Sequence, residues 1–254
     1  MNGRRTLFTG ISRRAIDLQR WDPETVVGWL EDDYHHLGVT LAHDGTTIRD
    51  VRTDFRRHPW VTCPRAVEPL RELIGKPLVS RASEIGRLTD MRQQCTHFLD
   101  LVGLLAAHAF HEIEHRAFHA MVRAPNAAAG DDHRLRAALF EDGKEMMCWE
   151  VEGPTIMAPA TAAGQSVERG FREWTETMTR TDAERALVLR RALFVATGRR
   201  FDRRAIQAAG SLDLGTVCYS FQPGVREMAV RAGDNFHPFD HAPEQMLALI
   251  GTCP

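Results

Sequence analysis

The chain lacks most of the features that would name a function outright. No Gly-rich phosphate loop and no dinucleotide-binding fingerprint occurs in its 254 residues, and no Gly-x-Ser-x-Gly elbow marks a serine hydrolase. Charge of one sign is missing too: 32 Lys and Arg face 34 Asp and Glu, so no global field recruits nucleic acid or acidic lipid. The basic N-terminus carries no apolar core long enough for a signal peptide, and no apolar run is long enough to span a bilayer. Cysteines are few, odd in number and far apart, at 63, 95, 148, 218 and 253. That spacing argues for reduced thiols rather than a disulfide framework, and for a cytoplasmic protein. Internal repeats and low-complexity tracts are absent as well.

What remains is ordinary for a globular protein: 43% hydrophobic and 26% charged residues, enough to bury a sizeable core. Short β-branched, alternating segments at 25–30, 35–42 and 46–54 predict strands, and Ala42-His43-Asp44-Gly45 supplies a hairpin turn. An antiparallel meander follows. Pro64 suits the first turn of a helix carrying Val67, Leu70, Leu73 and Ile74, stopped by Gly75 and Pro77. From Asp90 to Val122 the pattern predicts one long helix ending before Pro125.

Residues 126–132 contain only Asn, Ala, Gly and Asp and read as a linker, dividing the chain into parts 1–125 and 126–254 that pack as one unit. Beyond it, 135–140 and 146–151 flank an Asp142-Gly143 turn and predict a second hairpin. A Pro- and Ala-rich loop is expected over 153–164. Asp182 is the expected cap of a helix ended by Gly198, with a strand at 216–221 and a helix at 243–250 closing the chain. Grouped rather than alternating elements predict an α+β fold, an antiparallel meander packed on a long central helix.

On that helix, at about 100° per residue, His97, Asp100, Leu104, His108, His111 and His115 fall on one stripe. Its polar groups predict a cavity wall or a line of contacts for another element. His111-Glu112-Ile113-Glu114-His115 satisfies the H-E-x-x-H pattern, in which histidines at i and i+4 share a zinc ion. The third ligand is hard to place: the downstream glutamates lie in the expected hairpin, and His108 on the same helix gives poor tetrahedral geometry. His97 and Asp100, three apart, can touch, and a carboxylate against an imidazole makes a general base. The plainer alternative makes Asp100 a surface partner and Cys95 a small core residue. Of His35 and His36, adjacent on a strand, only one can face the core, as catalyst or as a satisfied structural histidine. Arg190, Arg191, Arg199, Arg200, Arg203 and Arg204 cluster at one helix end, as a solvated face or a contact for an anionic substrate tail.

The ordered motifs His35-His36-Leu37-Gly38-Val39-Thr40-Leu41, Asp44-Gly45, Ile48, Pro59, Cys63, Leu73-Ile74-Gly75 and Cys95-Thr96-His97-Phe98-Leu99-Asp100-Leu101 resemble the bacterial domain-of-unknown-function family 2889 over about residues 25–110. Gly215 to Pro223 is similar to a late motif of such proteins. The family pattern has Asp where this chain has His36, and its recurring motif is Cys-Thr-His, not H-E-x-x-H. The resemblance implies candidate positions, namely His35, Cys63, Cys95, His97 and Asp100, and no activity.

Together these readings predict a cofactor-independent acid–base enzyme, a lyase or isomerase, acting on a small, apolar, aromatic catabolic intermediate. His97 is the expected base oriented by Asp100, with His35 the opposing acid. Cys95, Cys63, His36, Leu104 and His108 are the expected pocket lining. The alternatives are a zinc or iron enzyme using Cys or His ligands, with His108, His111 and His115 the helical set, and a non-enzymatic scaffold. The expected partner is a small molecule, with no nucleic acid or membrane, and a homo-oligomer is compatible with the histidine stripe.

Overall fold

The computed structural model describes residue 8 and residues 10–125, 134–201, 205–248 and 250. Among these, eight strands form one antiparallel sheet: β1 (Ile11–Asp22), β2 (Thr25–Asp32), β3 (His36–His43), β4 (Ile48–Arg57), β5 (His115–Arg123), β6 (Leu135–Glu141), β7 (Lys144–Glu152) and β8 (Thr155–Ala158), in the order β4-β3-β2-β1-β5-β6-β7-β8. The fold is α+β, as the grouping of elements predicts. The meander β2–β4 and the hairpin β6–β7 stand where expected. At the first turn Asp44 accepts from the N–H groups of Thr46 and Thr47 while Gly45 takes φ +88°. Residues 126–132, read as a linker, lie outside the described residues, and the sheet is continuous across that point because β5 and β6 pair directly.

Three strands were not anticipated. β1 sits at the centre of the sheet, its Ser12, Arg14, Ile16 and Leu18 buried on alternate positions. β8 forms inside the expected Pro- and Ala-rich loop. β5 occupies the second half of the expected long helix. The real helix, α2, is Thr96–Phe110, 15 residues. Before it Asp90 caps a separate 3-10 turn at Met91–Gln93, and after it Glu112 adopts φ +50°, turning the chain into the strand. Burial then alternates along β5, with Arg116, Phe118, Ala120 and Val122 inward.

Residues 101 to 109 of α2 are all buried, so the helix is apolar on every side because it is covered on every side. Leu101 and Leu105 lie on the bare backbone of Gly28 in β2, while Gly103 abuts the carbonyl of Ala82 in a 3-10 segment, Ala82–Arg87. The Pro64 region is a short α1 (Val67–Leu70) flanked by 3-10 turns at Cys63–Ala66 and Arg71–Leu73.

After a short α3 (Phe171–Glu176), α4 (Arg180–Ala196) packs over the central strands. Its cap is Thr179, whose Oγ1 accepts from the N–H of Asp182, so Asp182 is the third residue inside rather than the cap itself. The strand expected at 216–221 is a bend followed by a 3-10 turn at Tyr219–Phe221, and the helix expected at 243–250 is reduced to a turn at Pro243–Gln245. From 205 onward the chain is irregular, with positive φ at Gly215, Gly224 and Gly233. It returns to the sheet where Phe239 and Met246 bury Ala15.

Candidate active site

A cavity of about 720 Å³ opens between the β2–β3 turn, the end of β4, the first turn of α2, the last turns of α4 and the irregular C-terminal segment. That volume falls in the range of about 300–1,000 Å³ usual for small-molecule sites. Its walls are aromatic and apolar, with Phe55, Trp60, Phe194, Phe201, Tyr219 and Phe221 contributing. Among its polar groups, three imidazoles cluster together.

The cluster rests on four consecutive residues, Asp32 to His35. Asp32 has no solvent exposure, and its Oδ1 accepts from the backbone N–H groups of Tyr34 and His35 and lies 2.9 Å from the Nδ1 of His35. Its Oδ2 pairs with the guanidinium of Arg14, which projects inward from β1 and is itself only 1% exposed. Burial alone would raise the Asp32 carboxyl, but His35 and Arg14 outweigh it and hold the group far below the usual carboxylate range. An ionised carboxylate only accepts, so Nδ1 of His35 carries the hydrogen and Nε2 is left as the ring's acceptor.

Asp33 anchors the same turn. It accepts from Ser12 Oγ at 2.7 Å and from the Arg199 guanidinium at 2.7 and 2.9 Å, tying the turn to the end of α4. Burial pushes its carboxyl up even so, against the pull of Arg199.

His97, on the first turn of α2, stacks on His35 with ring centres 3.8 Å apart and planes 28° from parallel. Its Nε2 is enclosed without a hydrogen-bond partner, and burial, reinforced by His35 and Arg14, holds the ring well below the usual imidazole range. His58 completes the cluster. Its Nδ1 lies 2.9 Å from the Trp60 carbonyl, an acceptor, so this ring too presents Nε2, and burial lowers its pKa. Cys63, Cys95 and Cys218 line the same space. Burial pushes Cys63 and Cys218 up to about 12 and raises Cys95, so all three are neutral thiols.

The structure thus brings His35, His97, Cys63 and Cys95 together, and separates the other expected residues from them. Asp100 does not orient His97: it accepts from Arg191 of α4 at 2.6 and 3.3 Å, and the carboxylate at the imidazole pair is Asp32. Asp100 and Leu104 line a second, smaller cavity of about 310 Å³, which meets the first at Thr96, Glu168, Arg190 and Arg191. His36 points to the other face of β3, edge-on to Trp29 and 3.4 Å from Glu31. His108 is buried at the far end of α2, away from the cavity, and burial pushes it down to about 4.

The H-E-x-x-H stretch is not helical. His111 contacts the Ser80 carbonyl at the helix end and His115 opens β5 against Asp17, so they do not converge with His108 on one ion. Of the basic cluster, Arg191 and Arg199 are ion-paired inside the fold, while Arg203 and Arg204 lie outside the described residues.

Asp32, His35 and His97 are also a two-histidine, one-carboxylate grouping whose donor atoms all lie within 4.8 Å of one another. Both oxygens of Asp32 are filled by Arg14, His35 and two backbone N–H groups, and a cation there would face the buried Arg14 charge.

Asp32, His58 and Arg14 were missed from the sequence. Asp32 and Asp33 sit in an acidic run that looks like an exposed turn, and Arg14 in a basic start whose period-2 burial only becomes visible once β1 is recognised.

A family model described as "Protein of unknown function (DUF2889)" matches residues 17–111, well under half of the chain. The matched stretch holds Asp32, His35, His58, Cys63, Cys95 and His97, whereas Arg14, Cys218 and Arg190 lie outside it. No curated protein matches the chain.

Proposed function

We propose that this protein is a cofactor-independent acid–base enzyme of lyase or isomerase type, acting on a small aromatic molecule held in the larger cavity. The observation that carries the reading is the stacked His35–His97 pair, backed by Asp32, in a chamber walled by aromatic side chains. His35, its tautomer set by Asp32, takes a proton from substrate carbon through Nε2. Asp32 stabilises the imidazolium that forms. The electron pair moves toward an oxygen of the substrate, and neutral His97 donates a hydrogen bond there. His35 then returns its proton, to another carbon in an isomerisation or to the leaving group in an elimination. The roles are the reverse of those expected from the sequence, because the carboxylate stands behind His35.

The aromatic walls support burial of a ring, and the water-poor surroundings strengthen the Asp32–His35 interaction. Exchange of substrate C–H for deuterium tests the reading. The protein is incubated in D2O with a panel of arylacetic and aryl carbonyl compounds and followed by NMR. We expect exchange in at least one compound and a loss of about 100-fold or more in His35→Gln. Undiminished exchange in that variant, or none across the panel, would overturn the proposal. Elemental analysis of untagged protein provides a second check, since a stoichiometric zinc or iron ion would replace this account with a metalloenzyme.

A further inference from the structure

Resting on that reading, we infer that the ligand of the larger cavity carries a single negative charge, and that Arg190 binds it: the substrate class is an aromatic carboxylate. Arg190 stands in α4 where the two cavities meet and lines both. Its guanidinium carbon lies 4.8 Å from the Phe171 ring centre and 4.7 Å from that of Phe194, held between two apolar faces. Its Nε donates to the Val167 carbonyl, and no carboxylate oxygen of the described residues comes within ion-pair distance of it. Its neighbours differ. Arg191 is engaged twice by Asp100, and Arg14 is matched to Asp32.

At the junction, Arg191 is thus taken by Asp100, and Arg190 has no carboxylate of the described residues at ion-pair distance. Glu168, exposed at the rim, is the only other acidic group lining the larger cavity. Burial and the adjacent Arg191 push Arg190 down to about 10, against the weaker opposing pull of Asp100 and Glu168. A carboxylate supplies a counter-ion in the planar, two-oxygen form a guanidinium fork accepts. The first turn of α2, through Thr96 and His97, opens on the same space, so the positive helix end adds to the attraction.

The shape of this group also sets the class. One guanidinium that meets no carboxylate of the described residues matches one carboxylate of a ligand. A dianionic phosphate would keep a second charge against walls made of Phe194, Phe201 and Phe221. With its carboxylate on Arg190, the ring of the ligand occupies the aromatic chamber that His35 and His97 also line.

Isothermal titration calorimetry with trans-cinnamate, cinnamamide and phenyl phosphate tests the inference on the intact chain. We expect cinnamate to bind about tenfold or more tightly than cinnamamide. Arg190→Met should bring cinnamate to the level of cinnamamide and leave cinnamamide unchanged, and Arg190→Lys should keep part of the preference. Failure of cinnamate to bind, equal affinity of acid and amide, a preference that survives in Arg190→Met, or tighter binding of phenyl phosphate would each overturn it. Because the readout is binding, the His35→Gln protein must show the same preference. A loss of proton transfer there leaves the charge selection standing, and the two proposals fail separately.

Discussion

His35 lies face to face with His97 at 3.8 Å, one ring delivered by a tight turn between strands and the other by the first turn of a buried helix. Stacking holds the rings in place, and in the proposed reaction the nitrogens move the proton. Phenylalanine at position 97 keeps the stack and removes only the nitrogens. His97→Phe should therefore unfold within about 1.5 kcal/mol of wild type in a urea titration. Its deuterium exchange should fall about 100-fold. Equal exchange would show that His97 merely supports its neighbour.

Arg14 and Asp32 are a buried pair, and removing one partner strands the other. Arg14→Met should cost about 3–5 kcal/mol of stability, since an uncompensated carboxylate remains in the core. The double variant Arg14→Met/Asp32→Asn should cost less than the sum of the two single changes, because neither charge is then left alone. Chemical denaturation of the three proteins decides it, and strict additivity would mean the pair is not coupled.

Gly103 separates two opposing contributions. Alanine is the better helix former by about 1 kcal/mol. However, a Cβ at this position would meet the Ala82 carbonyl oxygen at 2.5 Å and Ile85 Cγ2 at 2.9 Å. One of those contacts is backbone and cannot swing aside. Gly103→Ala should thus destabilise by about 1–3 kcal/mol, read as a lower Tm.

Acid should loosen the fold through a buried histidine. Burial holds His108 at about 4, so the folded chain keeps that ring neutral where the unfolded chain, near 6.5, protonates it. The unfolded state then binds more protons, and stability present above pH 6.5 is lost as pH falls toward 4, by up to about 3 kcal/mol from this residue. Tm measured across that window should drop in wild type and drop less in His108→Leu.

The three cavity thiols should resist alkylation. With Cys63 and Cys218 at about 12 and Cys95 raised as well, little thiolate exists at pH 8. Iodoacetamide followed by mass mapping should leave all three unmodified in the native protein and label them after denaturation. Rapid native labelling of any of them would show that it is a reactive thiol.

Much of the sheet was legible in the sequence because turn chemistry and alternation agree there, as at Asp44-Gly45 and Asp142-Gly143. The boundary between α2 and β5 was not. Residues 101 to 110 are almost uniformly apolar and so carry no phase, no glycine or proline marks the end, and the break rests on Glu112 in a left-handed conformation. β1 was hidden for the opposite reason, since its inward Arg14 and Ser12 look like surface residues until Asp32 and Asp33 are seen opposite them. Of the site, the imidazoles could be read from their residue types. Their carboxylate could not, because Asp32 and Asp100 are both near a histidine in sequence and only the packing of Arg191 removes one of them.

The three clustered imidazoles all precede residue 100, whereas Arg190 and the ring-bearing wall of Phe194, Phe201 and Phe221 all follow residue 189. On the proposed reading, the proton-moving groups and the carboxylate-binding Arg190 come from separate stretches of the chain, while Phe55 and Trp60 of the earlier stretch share the aromatic wall with the later one. On that reading, changes after residue 189 would alter what is bound while leaving the imidazole cluster intact.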